Sequence, residues 1–253
     1  MARGDRDPTV RHQNTYVVGR EKRGQTEATV ETYLSLEFTH RDEFPGEGED
    51  IRTPHALVEH FLETHTEPGD RVLDIFAGFG TTLLVAERLD RVPYGVEYEA
   101  DRVSAIRERL SSPGNVRHGD VLELDSSWFP PIDCCFTSPP FMERRDDRNP
   151  FRNYAGERTY DGYLDDIESA FSRLDAVLAP DGRVVIDIAN MKYRDRVTTL
   201  AWDVADRVAT VFDFDGEVVV AWTPADSDED IDEPVFGYGY DHSYCLVFTK
   251  SAD

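Results

Sequence analysis

Between Thr53 and Ile188 the chain alternates short apolar runs with stretches of helical spacing. Leu57, Val58, Phe61 and Leu62 form the stripe of a helix with one buried face. Thr53 followed by Pro54 predicts its start, with threonine as N-cap and proline at the first helical position, and Pro68-Gly69 predicts its stop. Arg71 to Phe76 is a short apolar strand, Gly78 to Gly80 a tight turn, and Thr81 to Leu89 a second helix. A strand at Tyr94 to Glu97, a helix at Ala100 to Leu110 and a short strand near Val116 follow. Strand Ile132 to Phe136 then runs into Thr137-Ser138-Pro139-Pro140. Leu164, Ile167, Phe171, Leu174 and Leu178 predict a helix over Tyr163 to Leu178, and Gly182 opens a strand at Val184 to Ile188. Strands alternating with helices predict an α/β fold, a parallel sheet covered on both faces.

Both ends break this alternation. Residues 1–50 are poor in apolar periodicity and rich in charge, and read as an arm that is partly flexible. Within it Arg3, Arg6, Arg11, Arg20, Lys22 and Arg23 outnumber Asp5, Asp7 and Glu21, which suits a solvated terminus or contact with a polyanion. Residues 51–253 read as one domain with a substrate-facing insert at about 141–163. Val208 to Trp222 and Tyr244 to Thr249 are β-rich and flank an acidic run at Asp226–Glu233, which predicts a closing antiparallel hairpin at the C-terminal end.

Three places carry chemistry. In the first, Asp74 closes a strand and Gly78 and Gly80 let the backbone turn tightly before a helix opens. A carboxylate there repels a pyrophosphate and attracts an ammonium group, so the loop favours a cofactor with an amino-acid moiety. In the second, Glu97 ends the next strand, where an acid can accept hydrogen bonds from ribose hydroxyls, and Tyr98 beside it can lie against an adenine ring. Asp120 follows the third strand, placed to accept from an adenine amino group. In the third, Ser138-Pro139-Pro140-Phe141 ends a strand. Two prolines offer no N–H and hold φ near -65°. The carbonyls before them are left to accept from a substrate amino group, and Phe141 offers a face for a base.

Taken together, these residues resemble the S-adenosyl-L-methionine-dependent amino-methyltransferases that modify exocyclic nitrogens of DNA bases, over roughly Thr53 to Ile188. The resemblance implies a doubly wound, Rossmann-like methyltransferase sheet and S-adenosyl-L-methionine as cofactor. It assigns cofactor contacts to Thr53, Asp74, Phe76, Gly78, Gly80, Thr81, Glu97, Tyr98 and Asp120. It makes Ser138, Pro139, Pro140 and Phe141 the catalytic tetrapeptide, and its Ser-Pro-Pro-aromatic form is associated with cytosine N4 rather than adenine N6. His242 to Phe248 looks like the family's last strand. The cofactor loop precedes the tetrapeptide, the reverse of many cytosine-N4 enzymes, and the chain shows no obvious room for a separate target-recognition domain. A related amino-methyltransferase acting on RNA, for instance at guanosine N2, and a non-catalytic nucleic-acid-binding relative are the alternatives.

Length and charge modify this picture. The 253 residues suffice for one large or two small domains. Acidic residues number 51 against 27 basic ones, a net charge of -24, which by itself argues against a nucleic-acid partner. Yet Lys22, Lys192 and Lys250 are the chain's three lysines, all other basic residues being arginine. That pattern resembles proteins of cells holding molar salt. Screening there acts within about 3 Å, so net charge ceases to predict the partner. Against this background the insert stands out: Arg144, Arg145, Arg148, Arg152 and Arg158 outnumber Asp146, Asp147 and Glu157, with Phe151 and Tyr154 between them. Arginine suits phosphate and guanine-edge contacts, so these five are the expected DNA contacts, with a mixed-charge lid closing over the cofactor as the other reading.

Cys134 and Cys135 lie inside the strand leading to the tetrapeptide, and a buried structural role is expected for both rather than attack on cytosine C5. Neither they nor Cys245 have zinc-type spacing, and no metal site is expected. No run approaches 18 apolar residues and no apolar leader is seen, so the expectation is a reduced, soluble, cytoplasmic protein of a high-salt cytoplasm.

Overall fold

The computed structural model describes residues 32–38, 53–152, 154–224 and 238–251. The basic stretch of residues 1–26 and the acidic run Asp226–Glu233 lie outside the described residues. Ten strands are present: β1 (Tyr33–Glu37), β2 (Arg71–Asp74), β3 (Val92–Glu97), β4 (Val116–His118), β5 (Ile132–Thr137), β6 (Leu178–Ile188), β7 (Met191–Tyr193), β8 (Arg196–Thr198), β9 (Asp213–Thr223) and β10 (His242–Thr249). The helices are α1 (His55–His65), α2 (Thr81–Arg88), α3 (Ala100–Arg109), α4 (Tyr160–Asp175) and α5 (Leu200–Val208). Eight strands make one sheet in the order β1-β9-β10-β6-β5-β2-β3-β4, and β7 pairs with β8 alone. The strands β6, β5, β2, β3 and β4 run parallel, and β10 enters antiparallel between β6 and β9.

Alternation within the buried strands explains why both faces need helices. On β6, Val184, Ile186 and Ile188 join the cluster with α4 and α5, while Val185 faces the cluster containing Leu57, Val58 and Phe61 of α1. Leu73 and Cys135 likewise point one way, and Val72 and Cys134 the other. Each fully buried side chain of this kind contributes about 1.5–3 kcal/mol. The chain runs from β2 outward through β3 to β4 and then returns to place β5 on the other side of β2. Open α/β sheets bind ligands outside the carboxyl ends of the strands at such a reversal.

Several elements differ from the expectation. Tyr33–Glu37, within the stretch set apart as an arm, forms the edge strand β1, parallel to β9. Its Leu34 and Leu36 pack on the α1-side core, so two apolar positions suffice for a strand too short to register as a pattern. Thr53 does not cap α1: Pro54 holds the N-cap position, and the Thr53 hydroxyl donates to Asp187 Oδ2 at 3.0 Å. The insert gives its last residues to α4, which starts at Tyr160 with Thr159 as its side-chain cap. Residues 200–208 form α5, with Leu200, Ala201, Val204 and Val208 buried at helical spacing. Val208, expected to open the β-rich stretch, instead ends this helix, and β9 begins only at Asp213.

Candidate active site

A cleft of about 350 Å³ opens at the carboxyl ends of β2, β3, β5 and β6. Asp74, Phe76, Gly78 and Thr81 from the first loop line it, as do Glu97 and Tyr98, together with Thr53. All four tetrapeptide residues, Ser138, Pro139, Pro140 and Phe141, line it too. A glycine loop, two strand-end acids and a Ser-Pro-Pro-Phe segment from distant parts of the chain thus share one cavity.

The Asp74 carboxyl is 4% exposed, and its Oδ1 accepts from the Thr137 hydroxyl at 2.6 Å and from Phe76 N at 3.0 Å. Burial pushes its pKa up to about 6, although the hydrogen bonds from Thr137, Thr82 and Phe76 oppose that rise. A buried anion of this kind favours a cationic ligand. Glu97 ties the loop to the next strand: its Oε2 accepts from Gly78 N at 2.7 Å and its Oε1 from Glu99 N at 2.8 Å. Burial raises its pKa as well. Each carboxylate oxygen offers about two acceptor sites, so both retain capacity for ligand hydroxyls. Tyr98 is 44% exposed beside them.

Gly80 and Asp120 stand outside the lining. Gly80 instead sets the turn, with φ 85°, at the N-cap of α2. A Cβ there would lie 2.9 Å from Ile106 Cγ1, so α2 and α3 close together only over glycine. Asp120 caps a short 3-10 turn, its Oδ1 accepting from Leu122 N at 2.9 Å, while its neighbours Gly119 and Val121 form the wall.

Pro139 is buried and Ser138 half-buried. Tyr163 donates its hydroxyl to the Pro140 carbonyl at 3.0 Å, which anchors the tetrapeptide to α4. Phe141 meets Tyr238 at a centroid distance of 5.0 Å. The cysteines beneath are sealed in the two cores, and burial pushes the Cys134 thiol up to about 12 and the Cys135 thiol well above its usual range. Neither supplies a thiolate near neutral pH.

The arginines of the insert divide into different roles. Arg144 pairs with Asp203 at 2.8 Å, and Arg158 with Asp166 at 2.8 Å. Both acids sit on helices that follow the insert, so counting charges within the insert overstates its surplus. Arg148 spends two guanidinium nitrogens on the Tyr154 carbonyl, at 3.1 and 2.9 Å. Arg145 is exposed and lines a second cavity beyond Phe141. Arg152 lies outside the described side chains. Phe151, expected among the substrate contacts, is 5% exposed and packs edge-on against Phe76 at 5.4 Å, as part of the cleft wall.

Sequence reasoning missed Asp187, which is 3% exposed and lines the cleft between Thr53 and Ser243. Burial raises its pKa to about 6 against the Thr53 and Ser243 hydrogen bonds. An acid inside the run Val184-Val185-Ile186-Asp187-Ile188 was the available signal, since apolar strands rarely bury a carboxyl without purpose. Among the described residues no group of three or more His, Cys, Asp or Glu could hold a metal ion, and no helix is long and apolar enough to cross a membrane.

The fold and cleft define the class of S-adenosyl-L-methionine-dependent methyltransferase folds. Among solved structures the chain is similar to a 1,6-didemethyltoxoflavin-N1-methyltransferase from Burkholderia thailandensis, holding S-adenosylhomocysteine, with TM-score 0.52 and 16% identity over 78% of each chain. It is also similar to a TehB-like methyltransferase from Corynebacterium glutamicum, with TM-score 0.51 and 13% identity, covering 77% of this chain and 87% of that one. At such identities these establish the fold. The DNA methylase family profile matches residues 5–108 and 132–253, and the chain belongs to that family. Among curated relatives, the type II methyltransferase M.BglII of Bacillus subtilis is 43% identical over 58 residues, 23% of this chain and 16% of that protein. M2.DpnII of Streptococcus pneumoniae is 39% identical over 59 residues, 23% of this chain and 22% of that protein. The matched stretches span less than a quarter of either relative.

Proposed function

We propose that the protein transfers a methyl group from S-adenosyl-L-methionine to an exocyclic amino group of a DNA base, cytosine N4 in particular. The observation that carries this reading is the meeting of Asp74, Glu97 and Ser138-Pro139-Pro140-Phe141 in one cleft. The cofactor's chemistry fits the donor set: the buried Asp74 carboxylate suits its ammonium group, Glu97 its ribose hydroxyls and Tyr98 its adenine. When bound, it supplies a methyl already activated on a sulfonium.

The chain's own residues then have to orient the nucleophile. An exocyclic amino group is a weak nucleophile because its lone pair is delocalised into the ring. The Ser138 hydroxyl and the Pro139 carbonyl are without hydrogen-bond partners among the described residues, and both can accept from the amine. Two such bonds favour pyramidal nitrogen and aim its lone pair, and orientation supplies most of the remaining catalysis. A duplex must give up the base, at about a few kcal/mol. Stacking on Phe141 returns roughly 1–3 kcal/mol.

The test is single-turnover methyl transfer to a mixed DNA pool, followed by nucleoside mass spectrometry. N4-methylcytosine is the expected product. N6-methyladenine would reassign the base within the same chemistry, methylated guanosine in RNA alone would reassign the substrate, and no transfer to either would overturn the reading. The acidic, lysine-poor surface is read as an adaptation to molar salt. Activity should therefore rise with potassium chloride where ordinary DNA enzymes dissociate, and best activity in dilute buffer would refute it.

A further inference from the structure

We infer that the β7–β8 hairpin, with the row of aromatic rings beside it, is a DNA-binding wall that holds the strand carrying the target base. The inference rests on the proposed function and adds residues to which no role has been given above. It starts from a mismatch of charge: Arg144 and Arg158 of the insert are neutralised by Asp203 and Asp166. Arg145 on the insert and Lys192, Arg194 and Arg196 on the hairpin are not held in an ion pair of this kind by any of the described residues. Arg145 and Arg196 line the second cavity together with Tyr193, and Phe141 lines it too.

The hairpin presents these groups outward. Lys192, Tyr193 and Arg194 are exposed, Tyr193 to 50%. The guanidinium of Arg194 lies 5.1 Å from the Tyr193 ring and that of Arg196 5.9 Å. The two-residue turn sets Arg194 at φ 58°, a backbone conformation that glycine or asparagine adopts more readily. Behind the turn, Lys192 N donates to the Tyr238 carbonyl at 2.7 Å. The hairpin is thereby fastened to the residue that packs on Phe141.

The rings continue from there. Tyr240 meets His242 at 5.1 Å, His242 meets Tyr244 at 5.3 Å, and Tyr244 meets Trp202 at 4.8 Å. Trp202 is 40% exposed at the start of α5, just after the hairpin. Cationic groups beside exposed aromatic faces are what a nucleic-acid strand needs, the cations for phosphates and the rings for splayed bases. Acids are present too: Glu143 and Asp146 line the cavity and Asp195 sits in the turn. Asp146 already accepts from Glu143 N at 2.9 Å. The hairpin itself, Lys192 to Arg196, carries three cations against one acid in a chain of charge -24. A polyanionic strand laid from Phe141 across Tyr193 fits that surface.

The experiment measures binding of a fluorescent DNA duplex to the full chain as a function of potassium chloride, with cofactor affinity by calorimetry in parallel. The pair Arg194→Ala and Arg196→Ala should weaken DNA binding and lower the slope of log affinity against log salt by about two. Cofactor affinity should not change. Tyr193→Ala should weaken binding about tenfold with the slope unchanged, and the corresponding lysine pair should restore the slope but not the full affinity. A wild-type protein that methylates DNA while both alanine variants bind it normally would overturn the hairpin assignment alone. A wild-type protein that neither binds nor methylates DNA would overturn the proposed function together with it. Tighter binding and methylation of a matched RNA would overturn the choice of DNA as occupant.

Discussion

At the end of the cleft proposed to hold the cofactor, Asp74, Gly78 and Glu97 lie within one stretch, residues 74–97, and Glu97 holds Gly78 N directly at 2.7 Å. At the end proposed for the substrate, the walls come from Phe141 and Tyr154 of the insert and from the distant Tyr238, brought together by the fold. A single fixed cofactor asks for one set of contacts, which a strand, a turn and a helix in sequence can supply locally. The substrate end depends on tertiary contacts such as the Tyr163 bond to Pro140 and the Tyr238 ring on Phe141. The two ends should therefore respond to mutation independently: changes at one alter affinity, and changes at the other alter rate.

Ser138→Ala gives the sharpest separation. It removes one of two acceptors for the amino group and leaves the Pro139 carbonyl, so methyl transfer should slow about 100-fold, the scale of deleting one preorganised hydrogen bond to a reacting group. Calorimetry should find cofactor affinity unchanged. A matching loss of affinity would mean that the two ends are one coupled site, and the comparison would collapse.

Asp74→Asn tests the other end. It removes the anion facing the ligand ammonium but retains a polar group of the same shape, and should weaken cofactor binding by about 1–3 kcal/mol. The pH dependence follows from the direction of the shift. Asp74 titrates near 6 in the folded protein against an ordinary value of 3.8, so the folded state disfavours its ionised form. Its contribution to stability is greatest at low pH and is lost as pH rises from about 4 to 6. Cofactor binding runs the opposite way, because only ionised Asp74 attracts the ammonium. Affinity should fall as pH drops below about 6, with Asp74→Asn less sensitive over that range. An equally steep fall in the variant would shift the titration to Asp187, the other cleft acid near 6.

The same contrast explains what could be read from the sequence. Alternating apolar runs reveal the parallel core, since strands buried on both faces and helices with one apolar stripe leave periodic marks. Asp74, Glu97 and the Ser138-Pro139-Pro140-Phe141 run are legible because their chemistry sits in adjacent residues. Asp120 is not resolved this way, since a capping carboxylate and a ligand-binding one leave the same residue at the same strand end. Arg144 and Arg158 look free until α4 and α5 supply Asp166 and Asp203. Phe151 looks exposed among charges until it turns inward onto Phe76. Edge strand β1 carries two inward apolar residues, too few to separate from the charged stretch around it.

The smallest expected effect belongs to Tyr163, which lines neither cavity but anchors the tetrapeptide from beneath. It is fully buried, and its hydroxyl donates to the Pro140 carbonyl, its ring lying 5.7 Å from Phe151 and 6.0 Å from Tyr160. Tyr163→Phe keeps the packing and deletes one hydrogen bond, a loss of about 1 kcal/mol. For a chain of this size that lowers Tm by roughly 2–4 °C. The half-buried Pro140 carbonyl can then turn, and with it the Pro139 carbonyl proposed to aim the amine. Single-turnover methyl transfer should fall a few-fold, with cofactor affinity unchanged. A lowered Tm at an undiminished rate would show that Tyr163 fills the core without positioning the tetrapeptide.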